Sequence, residues 1–322
     1  MATSVTVTTG ARLHFGPLAA AGSTGGKFGG VGMMVSTPGF VVSAQIASRD
    51  ECQGDRDASE RAAEFVRYVR QSCSRAQSAP PVRITVRDVI PSHAGLGSGT
   101  QLGLAVARAL SELSGERDVA VEALARRAGR GLRSAIGLHG FARGGFLVDG
   151  GRAGSRELGT LVSRIEFPAD WRLILAAPPQ STGLSGTAEQ QAFASQPPMP
   201  QSLTGELCRI ALMDWIPGLI EADFGRVSNA MYEFGLRVGE FFEPAQGGVF
   251  AHPRMSQLVQ EVRRRGLAGV AQTSWGPTIG LLCADHQSAQ DILNDLARDH
   301  RWGDCRFVLA EPLNRGAAVV LS

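Results

Sequence analysis

The stretch Pro91-Ser92-His93-Ala94-Gly95-Leu96-Gly97-Ser98-Gly99-Thr100-Gln101 constrains this chain more than any other. Just before it, Val82, Ile84 and Val86 alternate with Arg83, Thr85 and Arg87, a period of two that predicts a half-buried strand. Just after it, Leu102, Ala105, Val106, Ala109, Leu110 and Leu113 recur on one helical face until Gly115. A glycine-rich loop therefore joins a strand to a helix. Gly95, Gly97 and Gly99 permit positive φ and let a ligand approach main-chain N–H groups. The helix start adds unpaired donors and the positive end of a dipole. With the hydroxyls of Ser98 and Thr100, the loop is expected to hold phosphate.

Two common phosphate loops do not fit. No Lys-Ser or Lys-Thr pair follows the glycines, which excludes a Walker A loop. The motif follows an internal strand and a proline, and no acidic residue stands on a second strand at the distance a dinucleotide fingerprint requires. Pro-x-x-x-Gly-Leu-Gly-Ser resembles the phosphate loop of the GHMP kinase superfamily, named for galactose, homoserine, mevalonate and phosphomevalonate kinases. The longer pattern Pro-Ser-His-x-Gly-Leu-Gly-Ser-Gly-Thr-Gln resembles, more narrowly, the beta-ribofuranosylaminobenzene 5'-phosphate synthases. That resemblance implies an α+β, two-domain GHMP-kinase-like fold. Residues 1–168 would form the N-terminal domain, ribosomal protein S5 domain 2-like and carrying the phosphate loop; residues 169–322 would form a ferredoxin-like C-terminal domain.

Composition narrows the setting. A formal charge of +2 on 322 residues, with 43% hydrophobic and 19% charged residues, describes a soluble globular chain without a nucleic-acid footprint. The tight cluster Arg263-Arg264-Arg265 falls at a helix end before Gly266 and reads as a solvated terminus. The five cysteines include no Cys-x-x-Cys pair, which argues against a disulfide scaffold or structural zinc and fits a reducing compartment. Neither a membrane-length apolar run nor a secretory leader is read, so a cytoplasmic location is expected.

The remaining elements follow from local pattern. Strands are expected over Ser4 to Thr9, Val31 to Val35 and Phe40 to Ile46, the last two separated by a turn at Thr37-Pro38-Gly39. Asp57-Ala58-Ser59-Glu60 reads as a capping box opening a helix that ends near Ser74. Gly144 to Gly151 reads as a strand entering an Asp-Gly hairpin turn, with Asp149 as turn former. Helices are expected over Gln201 to Trp215, Leu219 to Phe242, Ser256 to Arg265 and Gln287 to Arg298. A strand over Arg306 to Ala310 and a closing strand over Ala317 to Leu321 complete the C-terminal half. Two loops, Gly22 to Gly32 and Pro178 to Gly186, are candidate substrate loops.

The resemblance also distributes roles. Arg12 and His14 lie in Arg-Leu-His-Phe-Gly, the N-terminal segment that contributes to the substrate pocket in the superfamily. Many GHMP kinases carry a catalytic aspartate in the region matched here by Gly129 to Phe141, which contains none; His139 lies near the expected position. Arg12, His14 and His139 are therefore the candidate catalytic residues. Gly95, Leu96, Gly97, Ser98, Gly99 and Thr100 would bind phosphate, joined by Arg133 with Arg130 beside it. Lys27, His93, Phe141, Ser274 and Trp275 would contact substrate, the last two within Ser274-Trp275-Gly276-Pro277-Thr278, where kinases have a third glycine-rich motif.

The implied reaction condenses phosphoribosyl pyrophosphate with p-aminobenzoate, or a close 4-substituted benzoate. Pyrophosphate and carbon dioxide are released at an early step of tetrahydromethanopterin biosynthesis. Mg²⁺ would accompany the pyrophosphate, with the Ser98 or Thr100 hydroxyl as a possible ligand, and a homodimer is the family's expectation. Two alternatives stay open: an ATP-dependent GHMP-type small-molecule kinase, weakened by the missing aspartate, and a catalytically silent GHMP-fold sensor.

Overall fold

The computed structural model describes residues 3–20, 27–131, 133–154, 158–179 and 196–322. Residues 22–26 of the first candidate substrate loop, residues 180–186 of the second, and Leu132 lie outside the described residues. Two long strands, β1 (Ser4–Pro17) and β2 (Gly30–Ile46), form the antiparallel spine of the first sheet. The expected turn at Thr37-Pro38-Gly39 does not split β2 in two. β2 pairs with β1 on both sides of it, and residues 36–38 are passed over at the register shift between Gly10 and Ala11, where Gly10 faces Gly39 and Ala11 faces Val35.

β3 (Glu51–Gly54) and β4 (Val82–Arg87) complete one flank of this sheet. Between them run α1 (Arg56–Ser72) and the short α2 (Ser74–Ser78). Asp55 caps α1, its carboxylate accepting from the Ala58 N–H at 3.0 Å, so the expected cap at Asp57 moves two residues upstream. The phosphate loop then opens α3 (Ser98–Leu113), whose buried Leu102, Leu104, Ala105 and Val106 pack against the spine. α1 crosses α3 closely at Gly103, where a Cβ would come within 2.8 Å of the Phe65 ring. α4 (Val121–Arg127) and α5 (Ile136–Arg143) cover the same face, and β5 (Phe146–Asp149) pairs with β2 and with β6 (Leu161–Ile165).

Asp149 is fully buried and accepts from the Gly151 and Ala135 N–H groups, at 2.8 and 2.7 Å. It holds its own turn, as expected, and also ties that turn to the start of α5.

The second sheet has the order β10-β7-β9-β8, built from β7 (Arg172–Ala177), β8 (Val270–Gln272), β9 (Ile279–Cys283) and β10 (Arg306–Ala310). All three pairings are antiparallel, which is the ferredoxin-like arrangement. Its helices are α6 (Gln201–Arg209), continued through a π-helical turn at Ile210–Trp215 into α7 (Ile216–Ile220), then α8 (Phe224–Gln246), α9 (Pro253–Arg264) and α10 (His286–Arg298). Trp215, fully buried, stacks obliquely on Phe15 and Phe146 of the first sheet, both at 5.0 Å between centroids. Aromatic packing thus joins the two halves. The closing strand β11 (Ala318–Leu321) departs from expectation: it leaves the ferredoxin-like sheet and pairs antiparallel with β1.

Candidate active site

Three segments distant in sequence converge on Thr273. Its buried hydroxyl accepts from the His14 N–H at 3.0 Å and donates to the Gly95 carbonyl at 2.9 Å. The Ser274 N–H donates to the His14 carbonyl at 2.6 Å, and the Arg12 N–H to the Leu96 carbonyl at 3.1 Å. Strand β1, the phosphate loop and the segment after β8 are therefore locked together. Gly95 and Gly97 have φ of +75° and +73°, the left-handed region that glycine enters without cost. A Cβ on Gly95 would lie 2.5 Å from the Thr273 carbonyl oxygen, and one on Gly97 would press on Arg12 at 3.2 Å. The glycines are there because backbone and arginine come that close.

Beside this junction lies a cavity of about 390 Å³. The first half of the chain contributes Arg12, Arg130, Arg133 and Arg152 to its lining, with His14 and Thr100; the second half contributes Val238, Phe242, Gln246, Gln272, Ser274 and Trp275. Among the described residues, no aspartate or glutamate lines the cavity. Arg130 is the most informative of the cations. Its Nη2 and that of Arg61 on α1 each stand 3.5 Å from where a Cβ on Gly99 would sit. Its guanidinium lies over the Phe65 ring at 4.8 Å and its Nε is buried without a hydrogen-bond partner; among the described residues it makes no ion pair. Burial, then the nearby charges of Arg61 and Arg133, lower its pKa. Like charges gathered on a glycine loop, one of them desolvated, are stabilised when an anion joins them.

Arg61 is held from behind. It pairs with Asp57 at 3.3 Å, donates to Ser92, and donates to the Ser98 hydroxyl at 3.4 Å. The Ser92 hydroxyl, and secondarily Arg61, keep the Asp57 carboxyl below its ordinary value. His14, 7% exposed, has an Nε2 without a hydrogen-bond partner. Burial first, and the Arg12 charge second, hold it well below the ordinary imidazole range, so at neutral pH it is uncharged.

Of the residues expected from sequence, Arg12, His14, Thr100, Arg133, Ser274 and Trp275 all line the cavity. Gly95, Leu96, Gly97, Ser98 and Gly99 form the loop behind it, with the Leu96 side chain buried in the core and Ser98 buried against Arg61. Four placements differ. Lys27 is exposed; its backbone pairs with that of Arg152, which carries Phe28 and Arg152 to the cavity in its place. His93 is exposed at φ +58° and is not among the lining residues. His139 is buried on α5 with Nε2 2.9 Å from the Gly159 carbonyl, and it is not among the lining residues. Phe141, on the same helix, packs in the hydrophobic core.

Sequence reasoning missed Arg61, Arg152, Phe242, Gln246 and Thr273. Only Phe242 and Gln246 left a trace, as neighbours four apart on one face of a helix.

A protein-held Mg²⁺ does not fit this donor set. Among the described residues the cavity lining offers hydroxyls (Thr100, Ser134, Ser274) and amides but no carboxylate, the Ser98 hydroxyl accepts from Arg61, and no group of three or more His, Cys, Asp or Glu side chains is placed to hold an ion.

Comparison with known proteins agrees with this architecture. The GHMP kinases N terminal domain matches residues 60–144, and the GHMP kinases C terminal domain matches residues 215–301. The crystal structure of mevalonate diphosphate decarboxylase from Staphylococcus aureus is similar at a TM-score of 0.69 and 15% identity, covering 99% of this chain and 98% of that one. The beta-ribofuranosylphenol 5'-phosphate synthase of Methanothermobacter thermautotrophicus is 29% identical over 99% of this chain and 100% of its own length. The protein of the same name from Archaeoglobus fulgidus is 32% identical over 97% of this chain and 98% of its own. With the fold, the phosphate loop and near-complete coverage in agreement, the chain belongs to the beta-ribofuranosylphenol 5'-phosphate synthase family, on a GHMP kinase fold.

Proposed function

We propose that this chain transfers the ribose 5-phosphate unit of phosphoribosyl pyrophosphate to the ring of a 4-substituted benzoate, with loss of pyrophosphate and carbon dioxide. The acceptor is p-aminobenzoate or 4-hydroxybenzoate, and the product enters tetrahydromethanopterin synthesis. The archaeal relatives are named for a phenol product, which favours the hydroxy acid. The observation that carries this reading is the mixed lining of the cavity, with arginines and Thr100 of the phosphate motif from the first half of the chain and aromatic and amide side chains from the second.

The chemistry suits that lining. The anomeric C–O bond breaks with its electron pair leaving on pyrophosphate, whose charge Arg130 and its neighbours neutralise. The ring carbon bearing the carboxylate bonds to the anomeric carbon, fed by the electron-donating para substituent. The bond to the carboxylate then breaks, carbon dioxide departs, and the returning pair restores aromaticity. No proton has to leave a ring carbon, so no general base is needed. That fits a lining without carboxylates among the described residues and an uncharged His14, which also spares the cationic sugar a repulsive neighbour. Trp275, edge-on to Phe242 at 4.8 Å, offers a surface for the ring. Magnesium enters with the pyrophosphate as part of the substrate.

The test is release of labelled carbon dioxide from carboxyl-labelled 4-hydroxybenzoate or p-aminobenzoate, with phosphoribosyl pyrophosphate and Mg²⁺. Release is the expected result. No release, with ATP turnover on an alcohol instead, replaces this reading with a kinase, and binding without turnover replaces it with a sensor.

A further inference from the structure

We propose that Gln246 selects the substituent para to the carboxylate on the aromatic substrate, and that it selects a hydroxyl. The inference rests on the reading of the cavity as the site of an aromatic acid. Residues 235–275 contribute only uncharged side chains to the lining, and the side-chain amides among them are Gln246 and Gln272. Gln246 ends α8 one turn after Phe242, on the same helical face, so its amide stands beside the aromatic pair Phe242–Trp275.

Backbone partners fix both amides. Gln246 Nε2 donates to the Val249 carbonyl at 2.8 Å, which accepts only from a donor. Gln272 Oε1 accepts from the Ala251 N–H at 2.7 Å, which demands an acceptor. Neither amide can then be reversed. Gln272 Nε2 donates to Gln246 Oε1 and to the Ser274 carbonyl, both at 3.1 Å, so both its hydrogens are in use. Among the described residues Gln246 keeps one N–H and one lone pair on Oε1.

One donor and one acceptor side by side match a hydroxyl, which both accepts and donates. An aromatic amine donates, but its lone pair is drawn into the ring and accepts poorly. An unsubstituted ring offers neither. The match also acts on the reaction itself. As the ring gives electron density to the forming bond, the para hydroxyl becomes acidic and its bond to Gln246 Oε1 strengthens, so the contact is worth more in the transition state than in the bound acid.

The test measures affinity for 4-hydroxybenzoate, 4-aminobenzoate and benzoate in the native protein, Gln246→Leu and Gln246→Met, with phosphoribosyl pyrophosphate affinity measured alongside. The native protein is expected to prefer 4-hydroxybenzoate over benzoate by about tenfold or more, and both variants to bring the acids within about twofold of each other. Phosphoribosyl pyrophosphate binding should stay within about twofold, while kcat for carbon dioxide release from 4-hydroxybenzoate falls about tenfold or more. A preference that survives in both variants overturns the role of Gln246 and leaves the aromatic-acid reading standing. Equal loss of phosphoribosyl pyrophosphate and benzoate binding overturns it in favour of a structural role. A native protein that binds none of the three acids overturns both.

Discussion

To the cavity lining the first half of the chain gives Arg12, Arg130, Arg133 and Arg152, from β1, the segment before α5 and the turn after β5; residues 235–275 of the second half give aromatic, aliphatic and amide groups without charge. The cationic set is built on the first sheet and the phosphate loop, and the neutral set on the ferredoxin-like half. Thr273 joins them, with one hydroxyl bonded to β1 and to Gly95. On the proposed reading the difference teaches how a phosphate loop of the kinase fold can serve another reaction: the loop would keep its anion, and the neutral residues would decide what the anion's carrier meets.

That contrast can be broken most sharply at Arg130. Replacement by methionine removes a buried cation that faces other cations, so phosphoribosyl pyrophosphate kcat/KM should fall by about a hundredfold or more, measured by carbon dioxide release. Thermal stability of the unliganded variant should stay level or rise, because repulsion from Arg61 and Arg133 is relieved. Among the neutral residues the effect is smaller. Trp275→Leu should raise KM for the benzoate by about tenfold while leaving that for phosphoribosyl pyrophosphate within about twofold.

The smallest effect belongs to His14. Its folded pKa lies below the ordinary 6.5, so the unfolded chain binds more protons in the window beneath that value. Stability should be full above about pH 6.5, fall as pH drops toward the lowered value, and flatten below it. His14→Asn should remove that slope in denaturant titrations at stepped pH. A slope unchanged in the variant would place the titration elsewhere.

The phosphate loop was legible because its signal is local: glycine spacing, an alternating strand before it and a periodic helix after it. Arg12, His14, Ser274 and Trp275 were legible through the resemblance, each inside a short motif. The rest depended on contacts that no local pattern encodes. Arg61 is one arginine among several on an amphipathic helix, and only packing of α1 on α3 brings it to Ser98. His139 stood where a catalytic aspartate was expected, yet a carbonyl twenty residues away, that of Gly159, occupies its Nε2. The closing strand read correctly as a strand, but its partner β1 lies at the opposite end of the chain. Thr273 looked like one polar residue in a loop; its hydroxyl spans a sequence separation of 259 to reach His14.

The measurement that bears most directly on the two sets of residues is a calorimetric titration of phosphoribosyl pyrophosphate into protein saturated with benzoate, which lacks the para donor needed for reaction. Separate sets should give one phosphoribosyl pyrophosphate per chain, with affinity within about threefold of that in the absence of benzoate. Competition, with benzoate weakening phosphoribosyl pyrophosphate binding in proportion to its own concentration, would contradict the division of the lining into an anion-binding set and an aromatic-binding set.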